Sequence, residues 1–276
     1  MRTFIIGATA LATAIVAAPA MAEDAAPAAP AETPEFTING GATLVSDYRF
    51  RGISQTDRHF AVQGTFTLTH RSGVYVSVWG SSIANYVANT SNQEIDLIAG
   101  VKHTFGKVTV DGGVLYYYYP GSNNGPNTGF NGGAYQSDFF EPYISASGTL
   151  GPVTAKLGVA YAPKQHAIRW NHERDDNLYA YGELSGAIPG TGITLTSHVG
   201  HTSGRSALSF GEKGYWDYNV GATYTWKALT FGVSYVATSF KKHGYSDLAD
   251  TQAFGTPHSL YHEVKGGFVG SIGVAF

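Results

Sequence analysis

Behind the terminal Phe276, every second position back to Val264 is apolar or glycine: Val264, Gly266, Phe268, Gly270, Ile272, Val274 and Phe276. The residues between them hold the charges of this stretch, Glu263 and Lys265. A period of two places the two sets on opposite faces of one strand. The same alternation recurs from Phe36 onward and predicts twelve strands, over 36–51, 58–71, 73–84, 93–104, 107–119, 138–149, 152–162, 177–187, 191–201, 217–227, 229–239 and 263–276. Each is about 10 residues or longer, near the ~9–11 that a tilted membrane strand needs, and an even number lets a bacterial single-chain barrel keep both termini on one side.

The connections sort by parity. Those after the second, fourth, sixth, eighth and tenth segments are short: Arg71-Ser72-Gly73, Phe105-Gly106-Lys107, Leu150-Gly151-Pro152, Pro189-Gly190-Thr191 and Trp226-Lys227-Ala228. The others are longer, notably Pro120 to Ser137, Pro163 to Asp176, Thr202 to Trp216 and Phe240 to His262. Short periplasmic turns alternating with long outer loops characterise outer-membrane barrels, whereas a soluble sandwich has no cause to alternate them. The expected fold is therefore all-β, a transmembrane antiparallel up-and-down β-barrel of about 12 strands.

The phase of each strand assigns its faces. The expected lipid side collects Phe36, Ile38, Leu44 and Phe50; Val62, Phe66 and Leu68; Ile95, Leu97 and Val101; Val108, Val110, Val114 and Tyr116; Ile193, Leu195 and Val199; Val220, Tyr224 and Trp226; and Leu229, Phe231, Val233 and Tyr235. No acidic residue falls there, and His70 and His103 come only at strand ends. This sorting matters because a Lys or Arg facing the mid-bilayer costs ~2–4 kcal/mol. Pro142 weakens the sixth strand, and the thinly apolar eighth is phased to keep Glu183 out of lipid. Aromatic residues gather near strand ends, with Tyr116 to Tyr119, Tyr215 and Trp216 outward in the envelope and Phe105, Trp226 and Phe276 towards the periplasm, as interfacial girdles do.

The opposite phase gathers charge. Asp47, Arg49, Arg51, Gln63, Arg71, Glu94, Asp96, Lys102, Asp111, Glu141, Lys156, Glu183, His198, Lys227, Glu263 and Lys265 are expected to face the lumen. Eight strands leave room for side chains and 16–18 give an aqueous channel, so twelve predict a narrow hydrated passage for small solutes with weak charge preference. The alternative is a filled interior in which these ions pair across the lumen.

Composition removes several other classes. The chain has no cysteine, so it forms no disulfide, thiolate metal site or cysteine nucleophile. Arg2, an apolar run from Phe4 to Ala18 and Ala20-Met21-Ala22 predict a signal peptide over 1–22, cut before Glu23. Cleavage removes one charge, Arg2, and takes the net charge from −3 to −4, which argues against nucleic acid as a partner. Residues 23–35, EDAAPAAPAETPE, hold three prolines and no large apolar side chain, and are expected to be a disordered periplasmic leader before a barrel over 36–276.

Catalytic signals are weak. Ser197 and His198 are adjacent, hence on opposite strand faces, and His201 with Ser203 lacks an assignable acid. The ten histidines are scattered; His258 and His262 have i, i+4 spacing but lie beside Pro257 in a loop. No metal, cofactor or enzymatic activity is expected. The loop cations Lys164, His166, Arg169, His172, Arg174, Lys241, Lys242 and His243 could meet lipopolysaccharide phosphates, but Asp175, Asp176, Asp247 and Asp250 dilute them and solvated loop charge is the favoured account.

The run Ser46-Asp47-Tyr48-Arg49-Phe50-Arg51-Gly52-Ile53-Ser54-Gln55, with Gln63-Gly64 and Val74-Tyr75-Val76-Ser77-Val78-Trp79-Gly80-Ser81-Ser82, resembles the TorF-type porin family of Gram-negative bacteria. The resemblance implies an outer-membrane barrel with channel activity, and adds localisation more than chemistry. In the predicted strand Asp47, Arg49 and Arg51 point inward while Tyr48 and Phe50 face lipid, forming either a selective charged mouth or an ion-pair clamp. Phe276 resembles the terminal aromatic that such barrels present to their assembly machinery. The expected protein is an outer-membrane porin-like channel with periplasmic termini, whose partners are lipid, lipopolysaccharide, the assembly machinery and small solutes. A structural or adhesive barrel without transport, or a lipid-modifying enzyme, are the alternatives.

Overall fold

The computed structural model describes residues 34–88, 90–122, 136–170, 174–241 and 260–276. The expected signal peptide, the leader up to residue 33, and the loop residues His172, Lys242, His243, Asp247, Asp250 and His258 lie outside them. Twelve long strands form the wall: β1 (Phe36–Val45), β4 (Ala61–His70), β5 (Val74–Ser82), β6 (Gln93–Phe105), β7 (Val108–Tyr118), β8 (Phe139–Leu150), β9 (Val153–Gln165), β10 (Asp175–Ala187), β11 (Ile193–Ser203), β12 (Gly214–Trp226), β13 (Leu229–Thr238) and β14 (Gly267–Ala275). They close into an antiparallel barrel in which each strand pairs with the next and β14 returns to β1. Two short strands, β2 (Arg49–Phe50) and β3 (Ile53–Ser54), make a separate hairpin, and a helix α1 (Leu260–Val264) precedes β14.

Alternation places the apolar side chains outside. Ile38, Val62, Leu97, Leu157, Leu195, Val220 and Val233 are exposed, and charge reaches that face only towards strand ends, as at His103 and Lys164. Such a band would be left unsolvated in water and is matched by hydrocarbon. The phase chosen for β10 holds, with Leu178 and Leu184 outward and Glu183 inward against His198. Pro142 is also outward, opposite Val114, and does not break β8.

The short turns are built tightly. Gly73 adopts φ +93°, and a Cβ there would stand 2.0 Å from the Lys102 carbonyl oxygen on β6. The seam follows the expected pairing of first and last strands, with Gly41 opposite Ala275 and Val45 opposite Ser271. Beyond that ladder Gly40 and Phe276 exchange two backbone hydrogen bonds, each 2.9 Å.

Two expected strands are too long. The β1–β14 ladder ends at Val45 and Ser271, with Ser46 N–H reaching the Gly270 carbonyl as its last link, and β4 supplies partners only from Ala61. Beyond Ser46 the chain leaves the wall and turns inward, although β14 itself runs on to Gly267 against β13. Tyr48 and Phe50, expected in lipid, are instead 1% and 9% exposed. At the other end Glu263 belongs to α1, and Lys265 sits between that helix and β14. The outer aromatic girdle also splits by alternation: Tyr116, Tyr118 and Trp216 are outward, whereas Tyr117, Tyr119 and Tyr215 are buried.

Candidate functional site

Asp47 organises the inward segment. Its carboxylate accepts from Ser54 Oγ at 2.6 Å, Thr56 Oγ1 at 3.2 Å and Arg49 Nε at 2.7 Å. The hairpin that follows has a two-residue tip, Arg51-Gly52, between the paired Phe50 and Ile53. Both tip residues have positive φ, +47° and +82°, the signature of a type I′ turn. Gly52 tolerates this; Arg51 does so at a cost of ~1–2 kcal/mol. No side chain fits at Gly52, where a Cβ would lie 2.6 Å from Thr238 Cγ2.

The contacts of Arg51 offset that cost. Its Nη2 donates to Glu141 Oε1 and Oε2 at 2.6 and 2.7 Å, and its Nη1 to Asn177 Oδ1 at 3.1 Å. The guanidinium carbon stands 4.2 Å from the centre of the Tyr179 ring, and Tyr215 donates to the Arg51 carbonyl at 3.2 Å. On the near side Tyr48 donates to Glu94 at 3.1 Å and packs on Trp79, while Phe50 meets Tyr117 edge-on. At the hairpin base Arg49 donates to the Lys265 carbonyl at 2.9 Å. Partners on β6, β8, β10, β12 and the segment before β14 surround the hairpin, which therefore crosses the half of the lumen nearer the long connections.

A second layer lines the half nearer the short turns. Tyr75 donates to Asp111 at 2.9 Å and also hydrogen-bonds Tyr143; Lys102 lies 3.7 Å from Asp111. Lys156 lies 3.9 Å from Glu183, whose other oxygen is 3.4 Å from His198 Nδ1. His198 Nε2 is 3.0 Å from Asp217, and the Tyr179 hydroxyl touches both. Large polar side chains thus fill the wall from β5 to β12. The facing wall is small, with Ser234 and Ser271 beside Gln63 and Asn219, and under the hairpin it borders a cavity of about 30 Å³. That space is large enough to hold water.

The sixteen residues expected in the lumen divide as follows. Gln63, Glu94, Asp96, Lys102, Asp111, Glu141, Lys156, Glu183 and His198 face inward from barrel strands, and Asp47, Arg49 and Arg51 lie inside on the hairpin segment rather than on β1. Arg71 and Lys227 are exposed in short turns, Lys227 lying over the Trp226 ring. Period two cannot show where a strand stops, and both residues lie just past an end. Glu263 and Lys265 border the hairpin base from outside the strand ladder. Asp217 and the inward tyrosines Tyr75, Tyr143, Tyr179 and Tyr181 are missing from that set, although strand phase alone places them inside. The wall itself therefore carries more acid than base.

Two other expectations resolve locally. Ser203 Oγ and His201 Nδ1 are 3.0 Å apart beside the outward Trp216, with no carboxylate on His201 among the described residues. Arg169 is buried rather than solvated, while Lys164 is exposed and His166 accepts from Arg174 Nε at 2.9 Å.

The barrel is similar to solved porins. The NanC porin matches with a TM-score of 0.52 at 12% identity, covering 87% of this chain and 99% of that one. The KdgM porin, solved in complex with disordered oligogalacturonate, matches with a TM-score of 0.51 at 10% identity, covering 87% and 98%. At such identities the likeness is one of fold. No curated protein matches the sequence. The pattern of residues 28–268 matches a bacterial family described as of unknown function, Gcw_chp, and over that span this porin-like barrel belongs to it.

Proposed function

We propose that the protein is an outer-membrane porin-like channel that passes small hydrophilic solutes or ions through a narrow charged lumen, with the inward hairpin as its constriction. The observation that carries this reading is the sorting of side chains: an uncharged apolar belt outside, and a connected polar interior from Tyr75 to Asp217. The resemblance of the SDYRFRG run to TorF-type porins points the same way, as do the porin-like neighbours. Export by the signal peptide, insertion by the barrel assembly machinery, periplasmic termini and contact with lipid and lipopolysaccharide belong to the same proposal. Catalysis is not part of it: among the described residues no acid orients the His201–Ser203 pair.

Planar-bilayer recording of the refolded barrel, with reversal potentials in a salt gradient, is the test. Discrete conductance steps with solute flux into liposomes are expected. A correctly folded barrel that passes neither ions nor solutes would overturn the channel reading. It would instead establish the second reading, a structural barrel, which the fully buried Arg51–Glu141 pair favours.

A further inference from the structure

Asp57 follows the hairpin at a sharp bend, where Asp57 and Arg58 both adopt positive φ (+52° and +59°). This bend brings its carboxylate to His262 and Glu263 of α1, residues more than two hundred positions later. One donor atom from each of the three lies within 4.8 Å of the others, and His262 Nε2 is 3.5 Å from Asp57 Oδ1. His59, largely exposed, is 4.0 Å from the other Asp57 oxygen. The Glu263 side chain is only 4% exposed, and its Oε2 is buried without a hydrogen-bond partner.

The neighbouring cation does not resolve this excess of oxygen. Arg58 turns its guanidinium onto main-chain carbonyls, donating from Nε to His262 O at 2.8 Å. The Tyr86 hydroxyl and the Asp57 and Asp47 carboxylates face Glu263 as well. Two carboxylates and an imidazole form a mixed oxygen and nitrogen donor set. Such sets suit zinc and its first-row neighbours, whereas calcium takes six to eight oxygens. Donors about 2.1 Å from a shared tetrahedral ion stand roughly 3.4 Å apart, close to the His262–Asp57 separation.

We propose that Asp57, His262 and Glu263 bind a first-row divalent cation, zinc fitting best, which ties the base of the lumenal hairpin to the last outer connection. His59 is placed to swing in as a further ligand. The inference needs the hairpin geometry and does not require that the barrel conduct.

The test is zinc titration of the refolded full-length barrel in detergent, followed by calorimetry and by metal analysis after gel filtration. Stoichiometric zinc retention is expected, abolished by EDTA and lost in His262→Gln and in the double variant Asp57→Asn/Glu263→Gln. Heat-modifiable gel migration reports whether each variant has a closed barrel. His59→Ala, on an exposed side chain, serves as a variant that folds and is expected to weaken retention without abolishing it. A folded wild-type barrel that retains no stoichiometric zinc, or folded His262→Gln with wild-type retention, would overturn the site. Bilayer conductance is read separately, so failure of the channel reading leaves this result interpretable.

Discussion

Arg51 concentrates the energetics of the lumen in one side chain. A fully buried ion pair is weak evidence of net stability, but removing one partner leaves an uncompensated buried charge, at a cost of ~3–5 kcal/mol. Arg51→Ala and Glu141→Gln probe the two halves, and they differ. The first leaves the Glu141 carboxylate with the Tyr117 hydroxyl and no counter-ion; the second leaves the guanidinium with Asn177 and the Tyr179 face. Denaturant unfolding in detergent is expected to show a loss of a few kcal/mol for Arg51→Ala. The double apolar variant Arg51→Met/Glu141→Leu is expected to recover most of that loss. At this scale alternation made Glu94, Asp111, Glu141 and Glu183 legible as inward, because a two-residue period is a local property. It failed at Arg71 and Lys227, where the strand had already ended and the side chain followed a turn instead.

The hairpin is the element that the alternation concealed. Asp47, Arg49 and Arg51 alternate with Tyr48 and Phe50 as a strand would, and a hairpin and a continued strand share that pattern. The distinguishing signal is Arg51-Gly52 between the apolar Phe50 and Ile53, a short-turn signature. What decides between them is non-local: the inward course is held by Glu141, Asn177 and the Lys265 carbonyl, the last more than two hundred residues away. Gly52→Val is expected to break the type I′ tip, since its φ of +82° and the Thr238 methyl leave no room for a side chain. Single-channel conductance should rise in that variant, with new protease sensitivity between residues 46 and 60. Unchanged conductance would show that the constriction lies in the inner layer around Tyr75 and Lys156.

For the whole molecule, the strand number, the parity of the loops and the apolar belt were all legible, since a lipid solvent imposes them on every strand alike. The charge balance of the interior was not. With Arg71 and Lys227 outside, Arg49, Arg51, Lys102 and Lys156 face Asp47, Glu94, Asp96, Asp111, Glu141, Glu183 and Asp217. Fixed acid in a narrow passage favours cations. Reversal potentials are therefore expected to show modest cation preference rather than indifference, reduced in Asp217→Asn, whose carboxylate keeps one oxygen buried without a hydrogen-bond partner. The seam supplies a separate expectation. Phe276 closes the barrel through its paired backbone bonds to Gly40, so its deletion should lower the yield of folded barrel in the envelope while leaving the conductance of refolded protein unchanged.

The hairpin's place in the chain sets an order of events. It is made early, yet its partners come late, with Glu141 ninety residues on, Asn177 farther still and Lys265 near the end. Contacts so distant in sequence are slow to form, because the chain between them must first be brought together. A sheet that has already closed offers little space for a peptide loop carrying Tyr48, Phe50 and Arg51 to enter. The segment from Ser46 to Phe60 is thus a mandrel: the later strands are wound around it, and the last turn of the winding traps it inside.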